Sequence, residues 1–210
     1  MGSKRGLSKK KGHLTGLLKV VPEITRKAFE DGLNTLTFWW FSTENWNREP
    51  EEIKDLIKIC ETSLKILVPI AQSLDARIVY LGRKDRLPQS LLETMVTVEN
   101  ETKNNNVHFL FIALDYGGRD ELERAAEKLK SSNQGLSFAT FLDSACSSPY
   151  PNPDILIRTS GEQRLSGFMS WQMEYAELFF IKELFPALTY DKVLSVVEEF
   201  AGNRRRRFGK

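Results

Sequence analysis

Stretches that read as β-strands alternate with stretches that read as helices along most of this chain, and that order leaves few folds open. Residues 33–41 are rich in aromatics and threonine, as suits a pleated segment. Residues 49–74 follow with Ile53, Leu56, Ile57, Cys60, Leu64 and Leu67 at helical spacing. The pattern recurs as a strand at 76–81, a helix at 88–102, an apolar strand at 107–114 and a helix at 118–130. A loop rich in Ser, Asn and Pro at 144–154 leads to a buried strand at 155–157, another at 177–181 and a helix at 190–201. Parallel strands need long crossovers, usually helical, so the order predicts an α/β fold: a mostly parallel central sheet flanked by helices.

With 210 residues, 41% of them hydrophobic, the chain can bury one sizeable core, which predicts a single domain over residues 1–210. Thirty basic residues against 28 acidic ones leave a charge of +2. That balance argues against nucleic acid as a partner, so any anion site is local. The two cysteines, Cys60 and Cys146, have no second Cys or His at metal-ligand spacing, which fits a reduced, cytoplasmic setting. The chain opens on a short basic run rather than a signal peptide, and no window reaches the ~20 apolar residues of a membrane span. It therefore reads as soluble, or at most peripheral to a membrane.

In parallel sheets ligands gather outside the carboxyl ends of the strands, and three polar loops fall there. The first is Phe41-Ser42-Thr43-Glu44-Asn45-Trp46-Asn47-Arg48. Its hydroxyls, carboxamide, carboxylate and arginine could hold an anionic substrate and accept a proton, or its Ser42, Thr43 or Asn45 could simply cap a helix. The second runs from Arg158 through Thr159, Ser160, Gly161, Glu162, Gln163, Arg164 and Leu165 to Ser166. Arginine forks match phosphate oxygens, and two of them flanking a glycine after an apolar strand exceed what a surface loop requires. The third, Asp115-Tyr116-Gly117-Gly118-Arg119-Asp120, reads as a structural turn through its paired glycines. His13 taken alone is an ordinary polar residue, and the run at 204–207 is a solvated basic tail. Glu177 opens an apolar strand, an unusual place for a carboxylate, and suggests a metal or a partner.

The strings FSTENWNR, YGGRDEL, ILIRTSGEQRLSGF, WQMEYAELFF and the terminal RRRRFG resemble, in order and spacing, the signature blocks of cis-prenyltransferases, the undecaprenyl diphosphate synthase family. The match runs over residues 4–210. The resemblance implies a transferase that condenses isopentenyl diphosphate with an allylic diphosphate, such as farnesyl diphosphate, into a cis-polyprenyl diphosphate. It makes Asn45 the proton acceptor, with Ser42, Thr43, Glu44, Trp46 and Arg48 around the substrates. Arg158, Arg164, Leu165 and Ser166 become the isopentenyl diphosphate cradle, and Glu177 a ligand of Mg2+. His13 and Lys9 fall beside the allylic diphosphate. A homodimer is also implied, with an interface around 177–200 and the arginine-rich arm near the partner's site, together with a peripheral membrane contact through the lipid product.

Members of that family normally begin with an apolar strand ending in Asp-Gly-Asn, then Arg-Trp-Ala, and none of this precedes Met1-Gly2-Ser3-Lys4. The aspartate would hold magnesium on the allylic diphosphate. The expectation is therefore a shortened sequence without the first strand and with impaired condensation. The alternative is a non-catalytic partner subunit of a heterodimeric prenyltransferase. An intact Arg158 to Ser166 loop favours the first reading; the missing strand favours the second. Smaller departures are Gln163 in place of a His, Asp115 in place of an Asn and Gly167 in place of an Asn. Trp40 stands where long-chain members carry Ala. Strand alternation places it on the side of Ser42, opposite Trp39 and Phe41, where an indole would limit product length or serve as ordinary core.

Overall fold

A computed structural model describes residues 9–131, 137 and 150–203, with the side chains of Lys9, Lys10 and Asn203 left out. The terminal arginine run and residues 4–8 lie outside the described residues.

The chain opens with a helical stretch that the strand and helix alternation does not announce: α1 (Lys9–Thr15), a π-helical turn (Gly16–Val20) and α2 (Val21–Glu30). Pro22 sits in the first turn of α2, where its missing N–H costs nothing. Buried Val21, Ile24 and Ala28 make the inward stripe. The wide turn has a visible cause, since the buried Ser63 hydroxyl donates to the Leu17 carbonyl at 2.6 Å.

The remaining elements follow the expected order. They are β1 (Thr35–Trp39), α3 (Pro50–Ser73), β2 (Ala76–Leu81), α4 (Gln89–Thr102), β3 (His108–Ala113), α5 (Gly118–Ser131), β4 (Ile155–Arg158), β5 (Glu177–Phe180) and α6 (Tyr190–Asn203). Helix α3 starts on Pro50 with Glu51 and Glu52 in its first turn, where carboxylates favour the helix dipole. Its Leu56, Cys60, Leu64 and Leu67 are almost fully buried against the sheet. Burial pushes the Cys60 thiol up in pKa, which keeps it neutral and unreactive.

Every strand pair is parallel, as expected, but the strands form two sheets: β1-β3-β2, and β4-β5. Central β3 is covered on both faces, and its Leu110, Phe111, Ile112 and Ala113 are all buried. Among the described residues β1 pairs only with β3, and β4 only with β5. Yet Leu36 and Phe38 of β1 pack against the same buried cluster as Ile155 and Ile157 of β4. On the other face, Trp39 joins Leu156 around Phe168 and Met169. The two strands thus lie in one layer, each with an edge that no described residue pairs with.

Beyond Trp39 the alternation fails. The amides of Trp40 and Phe41 both donate to the Ala113 carbonyl, at 3.0 and 3.3 Å, so two residues oppose one, as in a bulge. Trp40 and Phe41 consequently share one core cluster, while Trp39 serves the opposite one. Trp40 does not lie opposite Phe41, as alternation had it. Its indole is 8% exposed, and among the described residues its Nε1 has no acceptor.

Candidate active site

The loop after β1 folds into a 3-10 turn, Thr43–Asn47, none of whose residues is buried. It is fixed by its contacts. Ser42 forms a parallel bridge with Tyr116, and the Thr43 amide donates to the Tyr116 carbonyl at 3.2 Å. The Ser42 amide donates to Asn45 Oδ1 at 3.1 Å, so Asn45 does cap this turn. A carboxamide oxygen has two lone pairs, and one remains for other work. Trp46 Nε1 donates to Asp115 Oδ1 at 2.9 Å, and its ring meets Phe41 edge-on at 5.0 Å. Glu44 is exposed.

Arg48 ends the turn with Nη1 2.7 Å from Glu52 and 3.5 Å from Nε2 of His13. His13 thus comes from α1 to the loop after β1, the association that sequence alone could not supply. Lys9 lies one helical turn earlier on α1, with its side chain outside the described residues.

The loop after β4 holds the second constellation. Its base is tied by the Ser160 amide donating to Glu183 O at 2.7 Å and the Gly161 amide to Ile181 O at 2.8 Å. Ser160, Gly161, Ser166, Gly167 and Met169 all have positive φ. Three of these are not glycine, and left-handed backbone costs such residues about 1 kcal/mol or more each, a strain that gathers at ligand clamps. Arg158 Nη2 is 3.4 Å from the Ser166 hydroxyl, and among the described residues no carboxylate pairs with it. Burial and the neighbouring Arg164 charge push the Arg158 pKa down, so a bound anion would relieve both. Arg164 is paired with Glu162 on the exposed rim. Leu165 packs inward around Phe168.

The third loop joins the other two. Gly117 and Gly118 matter for space rather than for turning the chain; the left-handed residue of this turn is Asp115, at φ 45°. A Cβ on Gly117 would come within 2.6 Å of Thr43 Oγ1, and one on Gly118 within 2.7 Å of Gly167 O. The Gly118 amide donates to Gly167 O at 2.6 Å. Trp39 stacks on Phe168 at 4.9 Å and donates through Nε1 to Tyr116 O at 3.1 Å. Beneath, Tyr116 Oη donates to Glu121 at 2.6 Å, and Gln172 Nε2 to the same oxygen at 2.9 Å. The loops carrying Asn45 and Arg158 therefore both rest on residues 116–121.

Glu177 falls elsewhere. The register pairs it with Ile155, and Phe180 with Arg158, so roughly 10 Å of strand rise separates its level from that of Arg158. Arg86, Asp115, Glu121 and Gln172 also organise the site; the last three fall within or beside strings singled out in the sequence, without a role there, and Arg86 falls in none.

The undecaprenyl diphosphate synthase family model matches residues 2–209. The chain belongs to that family. The cis-prenyltransferase is 39% identical over 210 residues to an isoprenyl transferase of Aquifex aeolicus, covering 98% of this chain and 89% of that one. It is 36% identical to dehydrodolichyl diphosphate synthase 3 of Arabidopsis thaliana, covering 97% of this chain and 70% of that protein. Its fold matches lavandulyl diphosphate synthase of Lavandula x intermedia, solved with dimethylallyl diphosphate, at a TM-score of 0.89 and 29% identity, over 99% of this chain and 90% of that one. Among the described residues of the cis-prenyltransferase, no helix is long and apolar enough to cross a membrane.

Proposed function

We propose that this cis-prenyl diphosphate synthase condenses isopentenyl diphosphate with an allylic diphosphate, such as farnesyl diphosphate, to give a cis-polyprenyl diphosphate. One observation carries the reading: Arg158, a cation without a carboxylate partner among the described residues, stands beside Ser166 in a strained loop that shares its support with the Asn45 turn. Arg158, Arg164 and Ser166 bind the isopentenyl diphosphate. Arg48 and His13, with Lys9, face the allylic diphosphate.

In the reaction the isopentenyl double bond attacks the allylic carbon, the carbon–oxygen bond to diphosphate breaks, and a proton leaves the isopentenyl unit. Loss of a proton from a carbocation is strongly favourable, so a weak acceptor suffices if it is well placed. The free lone pair of Asn45 Oδ1 can take that role. Glu177, at the level of Ile155 on the neighbouring strand, is the carboxylate that would hold magnesium, which would supply charge neutralisation for a diphosphate. The cradle loop argues against a purely non-catalytic partner subunit, which would have no use for its strain. Replacing Arg158 by Ala should weaken isopentenyl diphosphate binding by about 2 kcal/mol, as for other charge-assisted contacts. Calorimetric titration of both forms measures this, and equal affinities would refute the cradle.

The edges of β1 and β4 that no described residue pairs with, lying in one layer, support a second element of the reading: a further strand set between them and carrying an aspartate for magnesium would raise the turnover of residues 1–210. A homodimer is also proposed. Among the described residues β5 pairs only with β4, and Tyr175, just before β5, and Leu178 within it are 61% and 43% exposed. Light scattering at micromolar concentration should give twice the chain mass; a monomer contradicts it.

Product length rests on Trp40, whose buried Nε1 lacks an acceptor among the described residues, an arrangement that an ordinary core position rarely tolerates. It fills volume within the cluster between the sheet and α3, volume that a packed interior does not give up cheaply. Short products are expected, and Trp40→Ala should lengthen them. Chromatography of radiolabelled products decides: unchanged lengths in the variant remove Trp40 as the determinant.

A further inference from the structure

Asp115 has no part in the chemistry above, yet it is 0% exposed and its carboxylate is fully engaged. Oδ2 accepts from Arg86 Nε at 2.9 Å, and Oδ1 accepts from both Arg86 Nη2 and the Trp46 indole. The Arg86 guanidinium lies 5.9 Å from the centre of the Trp46 ring. The turn at Thr43–Asn47 has no buried residue of its own, so packing alone gives it little to hold its shape. Its entrance is fixed through Tyr116 and its exit through the Arg48–Glu52 pair. Between them, the indole bonded to a buried carboxylate is the anchor nearest Asn45.

Trp46, one partner in that contact, also lines a groove of about 490 Å³. Arg48, Ile53, Ile57, Pro88 and Ser90 line it too, the last two just beyond Arg86 in the chain. Through Asp115, Arg86 is thus joined to the residue next to Asn45. We propose that Asp115, charge-balanced by Arg86, is a positioning residue that holds the Asn45 turn through the Trp46 indole. The clamp is a claim about structure; its effect on turnover rests on the functional reading above.

The test uses three variants. Trp46→Phe removes the indole donor and leaves the Arg86–Asp115 pair intact; Asp115→Leu removes carboxylate and charge; Asp115→Asn keeps an acceptor. The indole N–H resonance of Trp46, assigned by its loss in Trp46→Phe, should move to the position of a solvent-exposed indole in Asp115→Leu and only part of the way in Asp115→Asn. Amide exchange over residues 43–47 should speed up about tenfold or more in Trp46→Phe, while exchange in β3 stays as in the parent, the signature of local rather than global opening. Turnover by the strand-completed protein should fall about a hundredfold in Trp46→Phe, as for a small misplacement of a reacting group, with little change in KM for isopentenyl diphosphate. Asp115→Leu should show a similar fall, and Asp115→Asn should keep most of the parental turnover. An unchanged exchange rate in the turn overturns the clamp even if Asp115→Leu fails to fold. Loosened exchange with parental turnover overturns the positioning role. A parent that binds neither diphosphate overturns the functional reading, while the exchange data still decide the clamp.

Discussion

Asn45→Ala should lower turnover by about 10² to 10³, the usual contribution of a positioned proton acceptor, and leave the affinity for isopentenyl diphosphate nearly unchanged. The size of the loss separates two roles that the geometry gives to one oxygen. Asn45 Oδ1 accepts the Ser42 amide at 3.1 Å, and losing a cap of this kind costs about 1 kcal/mol. A cost of that size is about fivefold in an equilibrium and does not account for a hundredfold drop in rate. Steady-state kinetics with calorimetry on the same variant makes the distinction. A rate loss of about fivefold, accompanied by weaker binding, would assign Asn45 to capping alone.

The second large effect concerns the edges of β1 and β4 that no described residue pairs with. Adding a family first strand ending in Asp-Gly-Asn ahead of residues 1–210 should raise condensation by about 10³ or more, since a magnesium anchor contributes several kcal/mol and each 1.36 kcal/mol is tenfold. The melting temperature should rise as well, because the added strand would hydrogen-bond to both of these edges. Replacing the aspartate of the added strand by Ala separates the two gains: the thermal gain stays and the rate gain vanishes. Full activity from residues 1–210 alone would sink this part of the reading.

The sequence made the layer order legible because period-two and period-3.6 patterns survive in every strand and helix that has one buried face. Helix α2 carries such a stripe too, in Val21, Ile24 and Ala28, but it stands before the first strand, where the alternation gives no reason to look. The split into two sheets was not legible, since pairing is a long-range property and β1 and β4 carry no mark of an open edge. Nor was the position of Trp40: a single carbonyl, Ala113 O, accepting from two successive amides shifts every side chain after Trp39.

The candidate site was legible where chemistry is concentrated in one string, as in the Asn45 and Arg158 loops. What holds those strings together was not. Gly117 and Gly118 read as a structural turn, yet they serve to let Thr43 and Gly167 approach. Arg86 looks like any loop arginine until its fork is seen on a buried aspartate contributed by the end of β3. Glu177 is conspicuous in sequence, but that it stands at the level of Ile155, three residues of strand from that of Arg158, comes from the pairing alone.

The measurement that bears most directly on the central claim is incorporation of labelled isopentenyl diphosphate onto farnesyl diphosphate, with magnesium, by the strand-completed protein, followed by NMR of the isolated product. The expected result is a polyprenyl diphosphate in which each added unit carries a cis double bond. Binding of both diphosphates with no labelled product, or a product with trans additions, would contradict it.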